Sequence, residues 1–448
     1  MNGFIKGVDD RPQQSHQIQS KRLNQFFWQS LGRSRDAKQC WSNPSAFLVG
    51  LAVLLMLSPN ALAQTPAPAP SESTPSENAA PEPTIPDNAL EPQPDPLLPS
   101  MTVDRPLSPQ EKEVLRAALI ELQNQAIAEL QAGNIPSAFE IFNRELRLRR
   151  YLSIPEEVAA LSRVGEVAWR QSQVTELRLI TERLQQIEQQ VEARPESNPN
   201  LPLRVAEAYE TVRAKDQAVA LYTKLLTQAQ QQQNVDRQIQ LFTALGNLHL
   251  SWFEYPSAAA AYEQLNQVAE AIGDRATQAT ALQQLARIYT DSNQPTQAIA
   301  AQQKLVDLYR SQRNLEPVPG LKLAIGEGFA ALGQTDAAIA NYQEAFAVAR
   351  SVQQLAYASD ALQRLATLYR AENRFDEALA TYRLLLDVEQ QSYNTLGLMN
   401  TYDQIGQLLK ERGNQAQALV AFQQGLQLAQ QLRYKVDYFN TQIQALSQ

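Results

Sequence analysis

The chain has 448 residues, with 39 Lys and Arg against 47 Asp and Glu and a formal charge of −8. Residues 1–63 hold seven of the basic and three of the acidic residues, which leaves 32 basic against 44 acidic downstream. An acidic chain without clustered cations lacks the counterion-displacing surface on which nucleic-acid binding rests, and a low glycine content of 16 beside abundant Ala and Gln favours packed helices over a turn-rich sheet.

The first feature along the chain is an unbroken apolar run, AFLVGLAVLLML, at residues 46–57. Ser58-Pro59-Asn60 ends it, and Ala61-Leu62-Ala63 follows as a small-residue cleavage pattern, so residues 1–63 read as a secretory signal. Twelve helical residues reach about 18 Å, short of the roughly 30 Å hydrocarbon core. The long basic stretch before the run, with Lys21, Arg22, Arg33, Arg35 and Lys38, keeps an uncleaved signal anchor open, and with it a membrane tether. Both readings export the remainder, to a periplasm, a cell surface or a thylakoid lumen. Cys40, the one cysteine, lies before the run, so a chain cut after Ala63 has no thiol for a disulfide or a metal.

Residues 64–108 carry twelve prolines, Pro66 through Pro106, with seven acidic residues and little that could form a core. This segment is expected to be a disordered or extended spacer, with a proline-motif ligand as the other reading. Ser108-Pro109-Gln110-Glu111 ends it with a hydroxyl at the N-cap, Pro at the first helical position and Glu three residues on, a capping box that starts a repeat domain at 109–448.

Within that domain Ala recurs with an aromatic four residues later, as Ala218/Tyr222, Ala258/Tyr262, Ala338/Tyr342, Ala378/Tyr382 and Ala418/Phe422, with Ala298/Gln302 filling the gap. Every step is forty residues. Twelve positions before each Ala sits another small residue, Ala206, Gly246, Ala286, Gly326, Ala366 and Gly406, and three after that come Tyr209, His249, Tyr289, Phe329, Tyr369 and Leu409. Spacings of three and four hold these residues on one face of each of two antiparallel helices, and the small residues allow the two backbones to approach closely. Turn signals such as Gly333-Gln334, Asn293-Gln294-Pro295 and Gly413-Asn414 lie between the halves. Ala126 with Ala138 and Phe142 makes an earlier unit, and Gly165 with Leu177 a second that is shifted by one residue, for eight units in all. Tyr434, Tyr438, Phe439, Ile443 and Leu446 outline a further amphipathic helix that caps the array.

Over about residues 112–448 the chain resembles the tetratricopeptide repeat family. The segments that carry the resemblance are GNLHLSWFEYPSAAAAY at 246–262, GEGFAALGQTDAAIANY at 326–342, ATLYRAENRFDEALATY at 366–382 and GQLLKERGNQAQALVAF at 406–422. The forty-residue period exceeds the usual unit and is similar to the longer-unit branch of the family. The resemblance implies an all-α, right-handed superhelical solenoid of antiparallel helix pairs. It also implies that the first helix of each unit lines an inner groove, at positions three before and one and four after the small residue. Those positions are Thr243, Asn247 and Leu250, Gln283, Arg287 and Thr290, Leu323, Glu327 and Ala330, Gln363, Thr367 and Arg370, and Asp403, Gln407 and Lys410. Such a groove is amide-rich and of mixed charge, a fit for an extended peptide or a helix of a partner protein. Trp169, on the groove side of the shifted second unit, is the aromatic anchor candidate, with core filling as its alternative.

His249 stands where Tyr209, Tyr289 and Tyr369 stand in other units, and a packing role is expected for it. Gly326-Glu327-Gly328 imitates a phosphate loop, yet no strand precedes it and Gly326 falls at a repeat position. Neither a catalytic centre nor a metal or cofactor site is expected. The function expected is a protein-interaction scaffold or adaptor outside the cytoplasm; a peptide-binding sensor and a self-associating spacer are the alternatives.

Overall fold

The computed structural model describes residues 89–99, 105–193 and 198–447. The chain divides into two units, Met1–Asn78 and Ala79–Gln448. The first lies outside the described residues, and with it the apolar run and the cleavage pattern; no helix among the described residues is long and apolar enough to cross a membrane.

Among the described residues the elements are helices throughout, in eight antiparallel pairs. The pairs are α1 (Pro109–Gln131) with α2 (Ile135–Arg149), α3 (Ile154–Arg170) with α4 (Val174–Ala193), α5 (Leu201–Thr211) with α6 (Lys215–Gln231), and α7 (Val235–Ser251) with α8 (Tyr255–Ile272). They continue as α9 (Arg275–Asp291) with α10 (Pro295–Ser311), α11 (Val318–Ala331) with α12 (Thr335–Ser351), α13 (Leu355–Ala371) with α14 (Phe375–Gln391), and α15 (Thr395–Glu411) with α16 (Gln415–Leu432). A single helix, α17 (Val436–Leu446), closes the series. Each helix packs on its neighbours in sequence, as the solenoid of helix pairs requires.

The expected capping box forms at the head of α1. Glu111 donates its backbone N–H to the Ser108 hydroxyl at 3.3 Å, and its carboxylate accepts the Ser108 N–H at 2.7 Å. The Arg105 guanidinium and that N–H hold the Glu111 carboxyl down at about 2. From Arg213 to Arg433 one residue in every twenty has φ between 51° and 74°, closing each helix in a left-handed turn; only Gly273, Gly333 and Gly413 of these are glycine. A side chain in that conformation costs about 1 kcal/mol, offset by the carbonyls that the turn satisfies. At Phe253, for example, its N–H reaches the Leu250 carbonyl at 3.0 Å and the Glu254 N–H reaches the His249 carbonyl at 2.9 Å.

Within a unit the two helices meet where a small residue lies under an aromatic ring. A methyl group at Gly246 would stand 2.6 Å from the Tyr262 ring, at Gly326 2.5 Å from Tyr342, and at Gly406 2.7 Å from Phe422. Between units a second set of tyrosines ties the first helix to the preceding pair. The Tyr209 hydroxyl donates to Glu188 at 2.8 Å, the Tyr289 hydroxyl donates to Glu263 at 2.5 Å, and Gln343 donates to the Tyr369 hydroxyl at 3.0 Å. His249, in the same register, is mostly buried and sits 2.7 Å from Glu254, the packing role expected of it. Buried apolar side chains form one continuous cluster from Ala89 to Leu305, which crosses four unit boundaries without a gap.

The spacer expected at 64–108 is not free along its whole length. Residues 89–99 dock on α2: Ala89, Leu90 and Leu98 are buried, Arg147 donates to the Ala89 carbonyl at 2.6 Å and Arg150 to the Leu90 carbonyl at 2.8 Å. Arg144 grips Asp95 through two bonds of 2.7 and 3.0 Å, which holds the Asp95 carboxyl below its usual value. Three arginines one turn apart supply the donors that a proline-rich backbone cannot find in itself, and so recruit it to the domain.

Not all buried polar groups are matched. Glu176 of α4 is fully buried, accepts from Asn143 of α2 at 2.9 Å, and leaves its second oxygen and the Asn143 carbonyl oxygen without a partner. Burial raises its carboxyl above the ordinary 4.5. The folded chain therefore binds the proton more tightly than the unfolded one, so stability is highest below that ordinary value and falls as pH rises towards the folded one. Glu176→Gln, whose amide can reach the orphaned Asn143 oxygen, is expected to gain about 1 kcal/mol at neutral pH and to flatten this pH dependence in denaturant titrations. Gly246→Val should lower stability by about 1–3 kcal/mol through the clash with Tyr262, read as a fall in thermal midpoint.

Candidate functional site

The first helices of successive units run side by side, and clefts open between them. One of about 470 Å³ lies between α11 and α13, with Ala330, Gln363, Arg364 and Thr367 in its walls. A second, about 640 Å³, lies between α13 and α15 with α14 at its base, and Gln363 and Thr367 line it too.

The positions that the resemblance implied fall into three groups. Gln363 and Thr367 face the clefts, as does Ala330. Asn247, Gln283, Arg287, Thr290 and Glu327 are exposed on the same helix row, and Thr243 and Leu250 are half-buried there. Several of their polar atoms are engaged within the array: the Asn247 carbonyl oxygen accepts the Tyr262 hydroxyl at 2.7 Å, Gln283 donates to the Tyr309 hydroxyl at 3.0 Å, and Glu327 pairs with Arg364. Thr243 and Thr290 donate to carbonyls of their own helices at 2.7 and 2.8 Å. Arg287, exposed, pairs with Asp291 at 3.4 Å and lies near the Tyr262 phenol.

The third group is engaged within the structure, although Asp403 also lines the larger cleft. Leu323 is buried at 5% exposure and offers nothing to a guest. Arg370 bridges to the next first helix, pairing with Glu411 and donating to Gln404 at 3.2 Å. Asp403 is 9% exposed and accepts the Tyr438 hydroxyl of α17 at 2.7 Å, while Gln407 donates to the same hydroxyl at 2.9 Å and Lys410 to Gln442 at 3.1 Å. Burial and the Asp403 carboxylate together push the Tyr438 phenol upward. The terminal helix thus takes the place of a ninth first helix, covering positions that the repeat register alone leaves open.

Trp169 is 47% exposed, with the Arg213 guanidinium 5.3 Å from its ring centre, so the core-filling alternative does not hold. It lies on the surface at the far end of α3, in neither of the two clefts.

One residue that the repeat pattern did not single out lines the larger cleft. Glu389 stands where other units place Ala229, Ala269, Ala349 and Ala429, and it is 3% exposed. The signal was present in the forty-residue register as a charge at a small-residue position.

Two family models, both described as tetratricopeptide repeat, match residues 279–312 and 357–431. No curated protein matches the chain in sequence. Among solved structures, the chain is similar to a signal-transduction ATPase with a tetratricopeptide repeat sensor from Pyrococcus horikoshii, at 15% identity over 76% of this chain and 50% of that one, TM-score 0.37. It is similar to putative kinesin light chain repeats of Podosopora anserina, at 12% identity over 44% of this chain and 96% of that one, TM-score 0.33. BtubC from P. vanneervenii shares 15% identity over 49% of this chain and 92% of its own, TM-score 0.34.

The two inner-row arginines should respond differently to charge reversal. Arg370→Glu, which sets a carboxylate against Glu411, is expected to cost about 1–3 kcal/mol in chemical denaturation. Arg287→Glu should stay within about 0.5 kcal/mol of the parent.

Proposed function

We propose, from the premise that this chain is a tetratricopeptide repeat protein, that it holds a segment of a partner protein along the first-helix face of its C-terminal units. Arrays of this family are in general non-catalytic modules for protein interaction. The observation that carries the finer reading is the pair of adjoining clefts that share Gln363 and Thr367. Side-chain amides and hydroxyls there can pair with a peptide backbone as donor and as acceptor, which recognises a chain in extended or helical form without demanding one sequence. Arg287, paired with Asp291 but exposed, adds a cation two units upstream on the same row.

The place of action in this reading is outside the cytoplasm. Its support is the apolar run at 46–57 with the small residues at 61–63, together with a proline-rich stretch that spaces the repeats from whatever holds the N-terminus. Residues 89–99 of that stretch dock on α2.

Photo-cross-linking tests both parts. A benzoylphenylalanine at Gln363 or Thr367 of the full-length chain is expected to give a discrete adduct with one envelope protein, and one at Asp387, exposed on α14, is expected to give none. The chain in that adduct should begin at Gln64. Equal labelling from α14, or none from α13, would remove the first-helix face as the binding surface.

A further inference from the structure

The cleft between the last two units differs in chemistry from the rest of the array. At its base Glu389 is almost wholly buried; the Ser359 hydroxyl donates to one carboxylate oxygen, and the other has no hydrogen-bond partner among the described residues. A buried, half-satisfied carboxylate is among the costliest groups a helical core can carry, and four other units use alanine here. The backbone is shaped around it. A Cβ at Gly397 would lie 2.3 Å from the unpartnered oxygen, while the other units place Arg237, Thr277, Pro317 and Tyr357 at that register.

The charges around the cleft are lopsided. Asp403, 9% exposed, and Asp360, exposed and without an ion pair among the described residues, line it with Glu389. Against these three carboxylates the lining holds one cation, Lys435, whose ammonium lies 5.6 Å from the Tyr434 ring centre and 5.9 Å from that of Tyr438. Arg370, behind the lining residues Gln404 and Tyr382, is paired with Glu411. The side chains do not converge as metal ligands do, and no group of three His, Cys, Asp or Glu among the described residues has that arrangement. A polar cavity of about 640 Å³ suits a larger cation with several donors. Next to it a shallower cleft of about 420 Å³ presents Leu396, Leu432 and Tyr434, an apolar rim that shares Lys435 with the acidic cavity.

We propose that this cleft is the subsite for a cationic side chain, arginine or lysine, that the guest segment presents beside an apolar residue. The inference rests on the reading of the first-helix face as the partner-binding surface and gives that partner a chemistry. A guanidinium entering between α13 and α15 supplies the donor that Glu389 lacks, and its planar fork can reach a second carboxylate at the same time. The charge-assisted bonds form in a site already organised to receive them, since Ser359 and Gly397 hold the Glu389 carboxylate in place before the guest arrives.

The test uses the full-length chain and two acetylated, amidated pentapeptides of leucine that differ only at the centre, arginine in one and its neutral isostere citrulline in the other. The arginine peptide is expected to bind at least about tenfold more tightly by fluorescence titration. Glu389→Ala, which restores the residue that other units carry, should abolish that preference without lowering the melting temperature. Asp403→Asn, which keeps an acceptor for the Tyr438 hydroxyl, should weaken the preference by about threefold and guards against a folding defect in the first variant. Equal affinity for the two peptides, binding of neither, or a preference that survives Glu389→Ala would overturn the subsite. Should that happen while cross-linking from Thr367 persists, only the cationic subsite falls; loss of both removes the binding face itself.

Discussion

The contact on which the array depends is the close approach of two helices at a small residue beneath an aromatic ring. Gly246 under Tyr262, Gly326 under Tyr342 and Gly406 under Phe422 set the distance and the register within their units. Because the ring covers that backbone patch completely, the rest of each pair's apolar surface is turned outward and must be covered by the next pair. Each unit is then incomplete alone, and the burial that stabilises it is shared across a boundary. The continuous cluster from Ala89 to Leu305 is the physical form of that sharing.

Once the spacing is set by apolar contacts, polar groups decide what remains available to a partner. Inter-unit bonds such as Arg370 to Glu411 and Tyr289 to Glu263 use up side chains that a helix wheel would present as free. The two ends are closed by different means. At the C-terminus α17 brings Tyr438 over Asp403 and Gln407. Towards the N-terminus Arg144, Arg147 and Arg150 hold residues 89–99, a stretch without helix that covers part of α2.

Two buried glutamates show how the same chemistry serves different ends. Glu176 is enclosed between α2 and α4, faces only Asn143, and acts as a local defect in stability. Glu389 has a similar orphaned oxygen but stands at the wall of a cavity with two further carboxylates. Both orphaned oxygens are buried; Glu389 differs in lining a cleft, where a bound guest can come beside it.

The forty-residue register was enough to place helix pairs, small-over-aromatic contacts, the capping box at Ser108 and the packing role of His249, because these follow from local periodicity and from residues at fixed spacing. Gln363 and Thr367, which line the clefts, were implied by the family resemblance and not by the register. It could not reveal that Arg370, Asp403 and Gln407 are engaged, that Leu323 is buried, or that residues 89–99 dock on α2. Those outcomes depend on which side chain stands opposite in the neighbouring unit, 30 to 60 residues away, and on the exact rotation of each helix. Periodicity is a property of one helix face and is written in the chain; the pairing of one face with the next is decided only when the units stack.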